Sequence, residues 1–121
     1  MAIKYQIEKQ EEWLKVVASG EDDSLEEVLA YGGAIIQAAI EYSSKKILCD
    51  ERGLRYAISL TDTYKLAEEA SRFAKNVVRI AIVCNAHYLD EGRFFETVAS
   101  NRGLIIRVTS NYDEATAWLD L

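Results

Sequence analysis

Proline is missing from all 121 residues, histidine occurs once and cysteine twice. There is no low-complexity tract and no linker, so nothing marks an internal boundary or a repeat, and one domain is expected over residues 1–121. Two cysteines, Cys49 and Cys84, do not make a disulfide framework, and a reducing, cytoplasmic setting is expected. One histidine, His87, three residues after Cys84, falls short of a zinc set. No G-x-G-x-x-G or Walker-type loop is present to cradle a nucleotide phosphate, so no cofactor is expected. No segment approaches the ~20 apolar residues of a membrane span, and Met1 to Tyr5 alternates like a strand instead of forming a leader's apolar run. Basic residues are also few. With 14 Lys and Arg against 20 Asp and Glu, the net charge is −6. That balance argues against a nucleic-acid surface, which needs clustered positive charge, and against an anionic membrane.

Half of the residues are apolar, and their spacing is regular. Residues 3–8 and 12–19 read as two strands joined at Gln10-Glu11, an antiparallel hairpin. Gly20 to Asp23 reads as a turn. Ser24 with Glu27 is a capping box opening a helix with Leu25, Val28, Leu29, Ile35, Ile36, Ala39 and Ile40 as its inner stripe. Gly32-Gly33 inside that helix implies a kink, close packing on the sheet, or ligand contact, the first two being favoured. Lys46 to Asp50 is a short third strand. Arg52-Gly53-Leu54 reads as a turn, and Ser59 or Thr61 starts a helix through Tyr64, Leu66, Ala67, Ala70 and Phe73. Val77 to Val83 and Leu104 to Val108 are apolar strands of a covered parallel sheet. The helix between them ends near Asn101-Arg102-Gly103, with glycine just past the end. Asn111 and Glu114 open a last helix that buries Ala115, Trp118 and Leu119.

Three segments carry a resemblance. Ile47-Leu48-Cys49-Asp50-Glu51-Arg52, Val78-Arg79-Ile80-Ala81-Ile82-Val83 and the ending Asp113-Glu114-Ala115-Thr116-Ala117-Trp118-Leu119 resemble, in order and spacing, the STAS-like superfamily. The likeness is to its SpoIIAA-like (STAS/SEC14-type) bacterial proteins, over nearly the whole chain. The resemblance implies an α/β, single-domain STAS/SpoIIAA-like mixed β-sheet: an N-terminal antiparallel hairpin, then parallel strands, flanked by about four helices. It also implies a regulatory or scaffolding role through protein–protein contacts with an unidentified protein partner. Phosphorylatable members carry D-S/T-S-G-L where this chain has Asp50-Glu51-Arg52-Gly53-Leu54. The acceptor serine position falls on Arg52, so the usual phosphorylation has no acceptor there.

Cys84 and His87 after one strand, with Cys49 and Asp50 after another, could share a rim at the strand ends. A Cys–His pair with Asp50 orienting the imidazole is the enzymatic reading; small buried cysteines and a solvent-facing histidine are the favoured one, with no catalytic residue. A receiver-like role for Asp50 lacks the lysine expected after the last strand. The segment Glu51 to Tyr64 reads as a polar crossover. With it, Asp50, Arg52, Arg55, Tyr56, Tyr64, Cys84 and His87 form the expected ligand or partner surface. Adjacent Phe94 and Phe95 lie ~100° apart on a helix, and one left partly exposed would mark a homodimer contact. The expectation is a non-catalytic STAS-like domain. The alternative is a small-molecule or lipid-binding domain, which a cavity of a few hundred Å3 would favour.

Overall fold

A computed structural model describes residues 3–73 and 79–121. The chain order is β1 (Ile3–Lys9), β2 (Trp13–Asp22), α1 (Leu25–Glu41), β3 (Lys46–Tyr56), α2 (Leu60–Ser71), β4 (Arg79–Cys84), a 3-10 turn (Ala86–Tyr88), α3 (Leu89–Asn101), β5 (Ile106–Thr109) and α4 (Tyr112–Leu119). The five strands form one mixed sheet in the order β1-β2-β3-β4-β5. β1 and β2 pair antiparallel, and every later neighbour pair is parallel. Each β-α-β passage returns the chain to the same end of the sheet, which parallel pairing demands. The expected element types all form. Val77 and Val78, assigned to the fourth strand from sequence, lie outside the described residues, as do Met1 and Ala2.

Local signals explain the helix starts. The Ser24 hydroxyl accepts the Glu27 N–H at 3.3 Å, Ser59 accepts that of Asp62 at 3.1 Å, and Asn111 accepts that of Glu114 at 2.9 Å. Each satisfies an N–H that the first helical turn leaves open, worth about 1 kcal/mol. Gly103 follows α3 at φ +99°, a conformation that side chains resist. Gly92 serves packing instead: a Cβ there would sit 2.6 Å from the Val108 side chain, so its absence lets α3 approach β5.

The sheet divides the core unequally. On one side α1, α2 and α3 cover Leu14, Val16, Ile47, Cys49, Leu54, Ile80, Ile106 and Val108. On the other, α4 alone covers Leu48, Ala81 and Val83 with Ala115 and Leu119. Trp13, Tyr112 and Trp118 close the edges of that smaller cluster.

Several expectations need correction. Gly20 to Asp23 is not a turn as far as Asp22, because β2 continues to that residue alongside β3. The third strand does not stop at Asp50: it runs through Arg52-Gly53-Leu54 to Tyr56, so the supposed crossover is half strand. Its pairing explains the misreading. The register steps from Val17↔Asp50 to Ser19↔Gly53, which places one more residue on β3 than on β2, a bulge. Polar Asp50 and Arg52 beside Gly53 resemble a turn in one dimension while a bulged strand uses them in three. Gly32 and Gly33 neither break α1, which is continuous over Leu25–Glu41, nor allow close packing, since a Cβ on either would meet nothing within 4 Å. Ile40, read as part of the inner stripe of α1, is exposed.

Candidate functional site

The bulge decides where the end of β3 points. On a regular strand, residues five apart face opposite sides. With the extra residue between them, Glu51 and Tyr56 face the same side, and the Tyr56 hydroxyl donates to Glu51 Oε1 at 2.5 Å. Tyr31 of α1 donates to Glu51 Oε2 at 2.8 Å. Tyr31 sits three residues after Val28 and four before Ile35, on the buried face of the helix. A carboxylate with a phenol on each oxygen is therefore held in the interior by two elements, α1 and the bulged strand β3.

This cluster borders a cavity of about 280 Å3 between the sheet and α1–α3. The walls are mostly apolar, with Val28, Ile36, Leu54, Ile80, Phe95 and Val108 among them. Gly32 and Gly33 form part of the wall from α1, and their missing side chains leave that space open. Gly33 and Phe73, both exposed, lie on its rim. The polar groups reaching it include Asp22, Tyr31, Glu51, Tyr56 and Thr63. No lysine, arginine or histidine lines it among the described residues.

Electrostatics follow from that lining. Glu51 is 7% exposed. Burial raises its carboxyl above the ordinary value, the charges of Asp22 and Asp50 push the same way, and the two phenols pull partly back. Burial raises the Tyr31 and Tyr56 phenols too, reinforced by the charge of Glu51. At the end of β2, Asp22 Oδ1 accepts the Ala57 N–H at 2.5 Å. Burial there outweighs the backbone hydrogen bonds and pushes Asp22 up to about 6.

The seven residues singled out from sequence do not come together. Tyr56 joins the cavity, and Cys84 is buried in the same core, opposite Glu51 in the β3–β4 register. Asp50 points to the α4 side, where both its oxygens bind the Arg52 guanidinium, at 2.8 and 2.7 Å. That contact holds the Asp50 carboxyl below its ordinary value. Arg52 lies over the Tyr112 ring at 5.1 Å. Arg55 is exposed and faces Glu21 at 3.8 Å. Tyr64 is exposed on α2, hydrogen-bonded to Arg102, whose guanidinium stacks on its ring at 5.2 Å. His87 is exposed and packs edge-on against Tyr88 at 4.9 Å. The shared rim of Cys84, His87 and Asp50 therefore does not form. Burial also pushes the Cys84 thiol up to about 11, the wrong direction for a thiolate nucleophile. Both cysteines are free and buried, and no group of three or more metal-ligating side chains occurs among the described residues.

Sequence reasoning missed Glu51, Tyr31 and Asp22 as site residues. A signal for Glu51 existed: Ile47, Cys49 and Glu51 alternate onto one face, which puts the carboxylate inside if the strand continues. Tyr31 keeps the helical spacing of Val28 and Ile35.

Comparison with known proteins places this geometry. No protein-family model matches the chain, and neither does any curated protein. Solved structures do. An anti-sigma factor antagonist from Mycobacterium paratuberculosis superposes with a TM-score of 0.70 at 14% identity, over 99% of this chain and 96% of that one. An uncharacterised protein of the DUF3478 family with a SpoIIAA-like fold, from Shewanella loihica PV-4, gives 0.60 at 17% identity, over 98% and 94%. The chain has the STAS/SpoIIAA-like fold. At these identities the likeness concerns the fold, and the mixed sheet with its N-terminal hairpin is the expected one. No helix among the described residues of this STAS-like chain is long and apolar enough to cross a membrane.

Proposed function

We propose that this chain is a non-enzymatic STAS-like domain that binds a small apolar molecule between its sheet and α1–α3 and answers to it through protein contacts. The observation that carries the reading is the cavity of about 280 Å3, mostly apolar, with a few converging polar groups. That combination is the usual make-up of a small-molecule site. A helix that spends two glycines on the cavity wall supports it, because each costs up to ~1 kcal/mol relative to alanine and neither is needed for packing. Catalysis has no support from the separated Cys84, His87 and Asp50.

Protein purified from its native host and the same chain refolded from denaturant test this reading. The native preparation should release a small molecule on denaturation, detectable by mass spectrometry, and should melt several degrees higher, since a ligand bound only to the folded state stabilises it by mass action. Identical melting temperatures with nothing released would overturn it.

Protein contact is the second half of the proposal, and the anti-sigma factor antagonist among the structural neighbours favours it. Asp50, Arg52, Arg55, Tyr64 and His87 are the surface groups offered for it, and none needs a phosphorylated serine, the corresponding position being Arg52. Exposed Leu60, Tyr64 and Ile105 supply apolar area for a protein partner or a second copy. Light scattering that shows only monomer at high micromolar concentration would remove the homodimer. A pull-down from the native host should recover a specific protein, and a clean blank would count against the partner.

A further inference from the structure

The charged side chains that line the cavity, among the described residues, are all acidic. Asp22, Glu51, Glu69 and Glu91 all line it, and no cationic side chain does so among the described residues. Asp22 and Glu51 are the two buried members, at 5% and 7% exposure; Asp22 is taken up by the Ala57 N–H, while Glu51 meets only side chains. A buried carboxylate is ordinarily matched by an arginine, lysine or metal, because an uncompensated charge out of water is costly. Here the partners are two phenols, which stabilise the carboxylate by hydrogen bonding but bring no positive charge. A carboxylate has about four acceptor sites, and the two phenols use two of them. The remaining capacity belongs to a group that borders the cavity and has no other hydrogen-bond donor among the described side chains.

We infer that Glu51 anchors the protonated amine head of a small apolar ligand, whose hydrocarbon part fills the space left by Gly32 and Gly33. The inference rests on the ligand-cavity reading above and adds the ligand's chemical class. An ammonium supplies both things the Glu51 site lacks, a positive charge and further N–H donors, in a short charge-assisted contact. The apolar walls supply the rest of the binding by removing hydrocarbon from water. The same arrangement disfavours fatty acids and other anions, whose head at Glu51 would meet a carboxylate with no cation among the described residues lining the cavity. Size narrows the class further. At about 280 Å3 the cavity sits near the small end of ligand sites, suited to one short alkyl or arylalkyl chain and too small for a two-chain lipid.

Titration calorimetry on the full chain at pH 8, with octylamine, octanol and octanoate as probes of equal chain length, tests the head group directly. An alkylamine is still protonated at that pH, as a lysine side chain is. Octylamine should bind about tenfold more tightly than octanol, because its head sets a positive charge against the carboxylate where octanol's hydroxyl is neutral, and octanoate should bind most weakly. Glu51→Gln keeps an acceptor and the side-chain volume. It should bring octylamine down to the level of octanol measured in the same variant. Gly32→Leu should abolish all three by filling the space. Equal affinity for octylamine and octanol in the natural chain, or tighter octanoate, overturns the amine assignment while leaving the cavity reading standing. So does an octylamine advantage that survives in Glu51→Gln. Failure of all three probes to bind the natural chain overturns the cavity reading and the inference with it. The comparison in the natural chain is decisive by itself should the variant not fold.

Discussion

The two faces of the sheet are built to different standards. Beneath α4, Leu48, Ala81, Val83, Ala115 and Leu119 are all fully buried. Its rim is closed by cations lying on rings: Arg79 on Trp118 at 5.5 Å and Arg52 on Tyr112 at 5.1 Å. Arg79 also donates to the Trp118 carbonyl at 2.7 Å. Beneath α1–α3 the larger cluster surrounds a hollow, carries a buried carboxylate and keeps two glycines on its wall. Interiors pack close to crystal density when only stability is selected. One face buries its whole cluster under an eight-residue helix, while the other leaves a cavity under three longer ones. The proposed ligand site rests on that departure, and removing side chains from each face should expose the difference.

The largest effect belongs to the α4 side. Leu119→Ala removes a side chain with no solvent exposure and leaves a void its neighbours cannot close, costing about 3 kcal/mol. Ile36→Ala, on the wall of an existing cavity, removes a side chain that already lacks neighbours on one side, so its cost should sit nearer ~2 kcal/mol. Urea unfolding with unchanged slope measures both. Equal losses would show that the hollow face is as tightly supported as the α4 face.

The next effect has the opposite sign and depends on pH. Asp22 is buried, and its carboxyl rises from 3.8 to about 6 in the folded protein. The folded state therefore holds this proton more tightly than the unfolded chain does. Its contribution to stability is present below pH 3.8 and is lost as pH rises through about 6. Glu51 is raised for the same reason and works in the same direction. Asp22→Asn keeps an oxygen for the Ala57 N–H while deleting the charge. It should stabilise the protein at pH 8 by on the order of 2 kcal/mol and by almost nothing in acid. Denaturation midpoints measured across that range check the sign. A gain that is the same at both ends would mean that Asp22 is not the titrating group.

How far the two faces were legible in sequence follows from how each is made. The α4 face announces itself: Ala115, Trp118 and Leu119 recur at helical spacing behind an asparagine cap, and Ile80 to Val83 is uninterrupted apolar strand. The caps at Ser24, Ser59 and Asn111 and the glycine after α3 are local chemistry, visible without a partner. The cavity is not local. It depends on a one-residue bulge that turns Tyr56 onto the side of Glu51, and a bulge is defined only against the neighbouring strand. Polar residues inside a strand look like a loop until that pairing is known. Gly32-Gly33 was visible, but whether the space beside a glycine is occupied or empty is a property of α1 against β3.

That empty space makes a further prediction of about 1 kcal/mol. Gly32→Ala puts a methyl where nothing lies within 4 Å and restores helix propensity in the middle of α1. It should stabilise the protein by about that amount. Thermal unfolding reads the gain; a loss would mean that the helix there is strained against its cover and the space is not available.

The smallest effect tests the α4 face at its polar edge. Arg52 is about half exposed, and its contact with Asp50 is bidentate. Arg52→Ser places a hydroxyl at the position that the sequence resemblance assigns to the acceptor serine. It deletes the ion pair and the contact with Tyr112. Because water and salt screen an exposed pair, the cost should stay below ~1 kcal/mol and shrink as ionic strength rises. A loss larger than that and insensitive to salt would make Arg52 a structural clamp on α4. The expected small loss leaves the position free for surface recognition, and octanol binding in the cavity on the other side of the sheet should not change.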